Sequence, residues 1–190
     1  MKKQNDHVTC RVLSPYEVRR FEYYMKDRNF DSRSMYFGMA VTNDGIRDLV
    51  DHMVADPENH KVVVAEDDQL EIVGTIHIAV VSDTEVELGI MVSEAYRGQH
   101  VASKMMDFVL NWCRNRNYTG LYMHCLSYNA PVLHVVKKYG LEITNMYGDS
   151  EAHIQLPRAN IFTLGRESLA TQQSILKQNV MSFKKMLHLQ

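Results

Sequence analysis

Asp83, Glu85 and Glu87 stand at alternate positions, and Arg97 follows Glu87 by ten residues. In an extended chain this spacing puts the three acids and Gly89 on one face, with Val86, Leu88, Ile90 and Val92 on the other. A carboxylate held on a strand face opposite a core can take a proton from a nucleophile. Gly89 inside such a strand marks a bulge or the close approach of another backbone. The turn Ala95-Tyr96-Arg97-Gly98-Gln99 then leads into a helix beginning near His100. Exposed N–H groups, the positive end of the helix dipole and Arg97 converge there, a combination suited to a pyrophosphate. Solvated strand acids and a structural turn with a solvated arginine are the plainer reading of the same residues.

The elements that position these residues follow from apolar periodicity and its punctuation. Residues 8–13 read as a first strand, and Ser14-Pro15-Tyr16-Glu17 reads as a capped helix start leading to about Asp27. Asn29 to Val41 is irregular in pattern. A second helix begins at Thr42 and ends at Asp56-Pro57. Lys61–Ala65, Ile72–Val81 and Glu85–Val92 read as an antiparallel meander joined by short polar turns. An amphipathic helix over Val101–Asn115 follows, then a strand over Leu121–Leu126 and a helix over Asn129–Tyr139 stopped by Gly140. Leu141–Met146 and Ala152–Leu156 read as closing strands. The tail is helical over Leu164–Leu187, with Leu169, Leu176, Val180, Phe183 and Leu187 on one stripe that could pack on its own domain or on a second subunit. The layout is a mixed α/β domain over residues 1–158 with a C-terminal helical extension over 159–190.

Composition limits what such a domain can serve. Lys and Arg number 21 against 23 Asp and Glu, for a net charge of −2, so no basic field exists to hold a nucleic-acid backbone or a membrane surface. Three scattered cysteines, Cys10, Cys113 and Cys125, fit reduced thiols. The nine histidines include no i, i+4 pair beside a third ligand, so no metal is implied. The first ten residues lack the apolar core of a leader, and the expected location is the cytoplasm.

The segment from Glu87 to Met106 resembles motif A of the GNAT acetyltransferase superfamily, in which Arg or Gln is followed by two residues, Gly, one residue, then Gly or Ala. Arg97-Gly98-Gln99-His100-Val101-Ala102 matches at the first and last places and departs at His100, where the family has glycine. The family's later motif, an Asn, a helix, then Gly and an apolar residue, is similar to Asn129 through Gly140-Leu141. The resemblance covers about residues 8–156 and implies the GNAT fold, a mixed, mostly antiparallel central sheet flanked by helices. More loosely, Asp31–Gly38 resembles a segment of bacterial protein-lysine acetyltransferase domains, and those domains carry a glutamate ten residues before the motif A basic position, where Glu87 stands.

The resemblance implies acetyl transfer from acetyl-CoA to a primary amine, a protein lysine or a small molecule, by direct attack in a ternary complex. It makes Glu87 the base, with Glu85 as rival. It gives the backbone of Ile90, Met91 and Val92 to the pantetheine and thioester, and Arg97, Gly98, Gln99, His100, Val101, Ala102 and Ser103 to the pyrophosphate. His100 adds a Cβ where glycine permits close approach, so the loop sits farther out, the imidazole donates to phosphate, or the residue simply caps the helix. Asn129 would contact the pantetheine arm or cap its helix. The tyrosine that many members place seven residues after this asparagine is Val136 here; Tyr139 and Tyr128 are weaker substitutes that could instead pack or cap. Cys125 reads as a buried structural cysteine rather than a nucleophile. A non-catalytic acyl-CoA-binding regulatory module is the alternative, and a homodimer through the tail is compatible with either.

Overall fold

In the computed structural model, residues 8–146 and 149–188 are described. Residues 1–7, most of the ten on which the expectation about a leader rests, lie outside them. Strand β1 covers Thr9–Val12 and is followed by a 3₁₀ turn at Pro15–Glu17 and helix α1 at Val18–Lys26. The Glu17 carboxylate accepts from the Ser14 N–H at 3.2 Å and the Ser14 hydroxyl at 2.9 Å, so the capping residues act as expected, although the first turn is 3₁₀. Helix α1 buries Val18, Phe21, Tyr24 and Met25.

The stretch that lacks an apolar pattern contains helix α2, Phe30–Phe37. Its ends rather than its faces define it. The Asn29 side chain accepts from the Ser32 N–H at 2.8 Å, and Gly38 closes it in the left-handed region at φ 70°. Helix α3, Asn43–Ala55, is capped by Thr42.

Strands β2 (His60–Glu66), β3 (Ile72–Ser82) and β4 (Glu85–Val92) form the expected antiparallel meander. Helix α4 (Val101–Asn115), β5 (Gly120–Leu126), α5 (Ala130–Lys138), β6 (Glu142–Met146), β7 (Asp149–Gln155) and α6 (Ile161–His188) complete the order. The described strands form one sheet in the order β1-β2-β3-β4-β5-β7-β6, antiparallel except for β4 beside β5. Its faces carry separate cores. Val86, Leu88 and Ile90 point with Met105, Val109 and Trp112 of α4 into one, while Val62, Val64 and Met91 point with Phe21, Ile46 and Val50 into the other. Helix α6 lies along α4 and β1. No described helix is long and apolar enough to cross a membrane.

An ionic cluster locks β1, α1 and the end of β2 together. Glu66, 1% exposed, accepts from Arg11 Nε at 3.0 Å, from Arg11 Nη2 at 2.9 Å and from Arg20 Nη1 at 2.8 Å. Arg11 also holds Glu17 at 2.7 and 2.9 Å, and this hydrogen bonding lowers the Glu17 carboxyl from 4.5 to about 2. Replacing Glu66 by alanine removes three charge-assisted hydrogen bonds and leaves Glu17 as the one carboxylate shared by Arg11 and Arg20, and is expected to cost about 3 kcal/mol in urea denaturation. Because the folded Glu17 value lies below the unfolded one, its contribution is full above pH 4.5 and is lost as pH falls toward about 2. Glu17→Gln should flatten that part of the acid unfolding profile.

Candidate functional site

Strands β4 and β5 pair only at Glu85–Gly120, Val86–Leu121 and Glu87–Tyr122. Beyond Glu87 the two strands part, and β4 from Leu88 to Val92 keeps β3 as its partner on one edge. The backbone of Ile90, Met91 and Val92 therefore borders a slot between parted parallel strands, the place where the family resemblance leads one to expect a pantetheine arm. At the head of that slot the loop turns twice through left-handed residues, Gly98 at φ 73° and His100 at φ 63°. His100 directly precedes α4 and accepts the Lys104 N–H through its carbonyl at 3.0 Å. The first N–H groups of α4, at Val101, Ala102 and Ser103, precede the intrahelical ladder and carry the positive end of the dipole. A phosphate fits that donor set. His100 fills the left-handed position that glycine would occupy without strain.

Arg97 is used differently from the simplest expectation. Its Nη2 donates to the Ser32 hydroxyl at 2.9 Å and its Nε to the Val92 carbonyl at 3.3 Å, so the guanidinium ties the loop to α2 and to the end of β4. The Gln99 side chain donates to the Ala95 carbonyl at 2.6 Å and braces the turn. Asn129 is buried and precedes α5, yet its side chain does not cap that helix. Tyr139 donates its hydroxyl to the Ser103 carbonyl at 2.7 Å and to Asp107 at 2.8 Å, which joins α5 to α4. Val136 lies in the core. Burial pushes the Cys10 and Cys113 thiols up to about 12.

The two candidate bases sit in different surroundings. Glu85 accepts from the Tyr122 hydroxyl at 2.8 Å at the closed end of the strand pair. Glu87 lines a cavity of about 460 Å³ between α2, β3, β4 and β5. Among the residues lining it, Glu87 is the single carboxylate, accompanied by Tyr36, His77 and His124. A larger cavity of about 570 Å³ between β1, α4 and α6 shares no lining residue with it.

Tyr36, which the sequence pattern does not single out, is built into the site by Gly89. A Cβ on Gly89 would stand 2.6 Å from the Tyr36 hydroxyl and 2.9 Å from its Cζ, so the missing side chain is the space the phenol occupies. Gly89 thus marks a close approach, by a side chain rather than a backbone. Burial first, and then the Glu87 charge, hold the Tyr36 phenol well above its ordinary value, so it stays protonated. His77, opposite Gly89 on β3, has a ring nitrogen 3.0 Å from that of His60. Burial lowers His77 to about 4, with His60 adding to the effect, so it is neutral at neutral pH. The cavity consequently presents one carboxylate, the neutral imidazole of His77, the imidazole of His124 and a phenolic hydroxyl. That set can hold an ammonium and accept its proton.

A family model described as the acetyltransferase (GNAT) family matches residues 16–141. Spermidine N-acetyltransferase from Vibrio cholerae, solved with CoA and spermine, superposes with a TM-score of 0.63 at 17% identity, over 80% of this chain and 96% of that one. The GNAT domain of S. lividans PAT gives 0.64 at 16% identity, over 77% and 89%. A GNAT-family acetyltransferase from Staphylococcus aureus Mu50 gives 0.65 at 14% identity, over 79% and 99%. At these identities the likeness is one of fold. No curated protein sequence matches the chain.

The Gly89–Tyr36 fit is open to direct measurement. Gly89→Ala should destabilise the protein by about 1–3 kcal/mol in thermal denaturation, the usual cost of overpacking. In a Tyr36→Ala background most of that cost should vanish, a coupling read by a double-mutant cycle. An equal cost in both backgrounds would place the strain elsewhere.

Proposed function

The chain belongs to the GNAT acetyltransferase family, and from that premise we propose that Glu87 is the base for an amine acceptor seated in the cavity it lines. Acetyl-CoA, the co-substrate of this family, supplies the acetyl thioester. The backbone edge of Ile90, Met91 and Val92 would line the pantetheine arm, and the turn from Arg97 through Ser103 would hold the pyrophosphate, with Arg97 acting by anchoring the loop. Asn129, buried without a capping bond, is the side chain we assign to the arm from the β5 side.

A lysine-like amine has a pKa near 10.4, so only about one in two thousand is neutral and nucleophilic at neutral pH. Glu87 would take that proton directly or through water, and no second carboxylate lines the cavity to compete for it. The single observation that carries this reading is the position of Glu87 at the last residue of β4 paired with β5, on the lining of the cavity. Tyr36, kept protonated beside it, offers a hydroxyl donor on the same side.

The lining also bears on the acceptor. Met35, Phe37, Met39, Leu49 and Leu126 surround the lone carboxylate. Such a cavity suits one ammonium at the end of an apolar stem, as in a lysine side chain or a monoamine with an apolar body. A polyamine would lay further ammonium groups against methionine and leucine, with no second carboxylate in the lining to offset their desolvation.

Thiol release from acetyl-CoA across a panel of lysyl peptides, apolar monoamines and spermidine tests both parts. Glu87→Gln is expected to lower kcat by about 10²–10⁴ with little change in the KM for acetyl-CoA. An unchanged rate would remove Glu87 as the base, and a preference for spermidine would overturn the acceptor reading.

A further inference from the structure

Helix α6 runs for 28 residues, about 42 Å. One side fastens it to the domain. Thr163 and Ser174 are buried, Glu167 accepts from Arg116 at 2.9 Å and from Asn115 at 2.6 Å, and Lys177 donates to the Glu66 carbonyl at 3.2 Å. The apolar stripe read from the sequence does not lie on that side. Phe162, Leu169, Leu176 and Phe183 recur at intervals of seven residues, Val180 and Leu187 fall between and after the later ones, and all six are 53–77% exposed.

A seven-residue repeat of this kind, with the intervening apolar positions offset by three and four, is the pattern of a coiled-coil seam. We propose that this face of α6 is the interface between two copies of the chain, packed helix against helix. A seam of repeating identical spacing is self-complementary, since each layer meets an equivalent layer on the copy. Its chemistry also fits. Arg166 is the one charged residue on the seam, and Gln173 its other polar member; both lie in the N-terminal half, while the C-terminal half is apolar throughout. With Met186 at its flank, the stripe exposes roughly 800 Å², taking side chains of roughly 150–200 Å² at these exposures, which is what each partner gives to a stable interface. Beyond Met181 the side chains described at Ser182, Phe183, Lys184, Met186 and Leu187 are all exposed, so the last turns project past the chain's own core and a partner helix supplies the wall they lack. A membrane surface is a poorer occupant. Interfacial helices line the flanks of their apolar face with several cations, whereas Lys177 is committed to the Glu66 carbonyl, 3.4 Å from Asp68, and Arg166 and Lys184 are the exposed cations described along all 28 residues.

The test uses the full chain. Light scattering behind size-exclusion chromatography should give twice the 22.0 kDa chain mass, and Leu176→Asp with Phe183→Asp should return the single-chain mass with acetyl transfer and helical circular dichroism retained. Leu176 is close to the middle of α6 and so meets its copy whether the helices run parallel or antiparallel. Under mild oxidation Leu176→Cys should therefore cross-link two chains, and Ser182→Cys, exposed but off the seam, should not. A wild-type monomer, a double variant that stays dimeric, equal cross-linking at both positions, or binding of monomeric wild type to anionic vesicles would each overturn the proposal.

Discussion

Everything at the candidate site depends on two parallel strands that hydrogen-bond for three residue pairs and then separate. The closed end is pinned. Tyr122 donates to Glu85 across the pair, and Gly120 lies so close to the Glu85 side chain that a Cβ there would stand 2.9 Å from its Cγ. Past Glu87, β5 continues in full register with β7, from Gly120–Gln155 to Leu126–Asp149, while β4 continues with β3. Each strand is therefore stabilised from its outer side, and the sheet remains whole although its middle is open. The backbone groups along the opening need water or a ligand, because an unpaired buried amide costs about as much as a lost hydrogen bond. Parting thus creates a polar cleft inside a sheet that is otherwise closed.

The slot is coupled to the cavity through a short chain of polar contacts. Ser32 on α2 donates to Glu94 at 3.3 Å and accepts from Arg97 at 2.9 Å, so the phosphate-side loop and the helix carrying Tyr36 share one fastening. Arg28, at the end of α1, donates to Ser93 at 3.0 Å, and Ser93 in turn donates to Tyr24. The same network explains why an arginine in a phosphate-binding motif points away from the phosphates. Its charge-assisted bonds to Ser32 and to the Val92 carbonyl hold a loop whose own backbone, on the proposed reading, would do the binding.

What the sequence made legible was local. The strand, turn and helix from Glu85 to Asn115 are legible because alternation, a glycine and a 3.6-residue stripe occur in immediate succession, and Glu87 is set apart from Glu85 only by its resemblance to the glutamate that family domains carry ten residues before the basic position. The contacts that distinguish the two acids are long-range: Tyr122 engages one, and the cavity opens on the other. Helix α2 was missed because its apolar residues share no clear face and its caps, Asn29 and Gly38, carry the definition. Tyr36 lies within the loosely matching segment Asp31–Gly38, but no local pattern brings residue 36 to residue 89. The glycine was the readable half of that pair. The insertion of β7 between β5 and β6 likewise leaves no local mark, since both closing strands read alike.

The remaining question is why one carboxylate suffices. A second acid beside Glu87 would raise its proton affinity and bind cations without orienting them. Two of the polar groups beside it carry no charge at neutral pH, since burial holds His77 neutral and Tyr36 protonated. An ammonium entering among methionine, phenylalanine and leucine side chains then finds its favourable electrostatic contact at a single point, the point where β4 leaves β5. Low local polarity strengthens that attraction and, by the same physics, favours the neutral amine once the proton has moved. On the proposed reading, recognition and deprotonation are two consequences of one arrangement, a solitary carboxylate at the fork of a sheet.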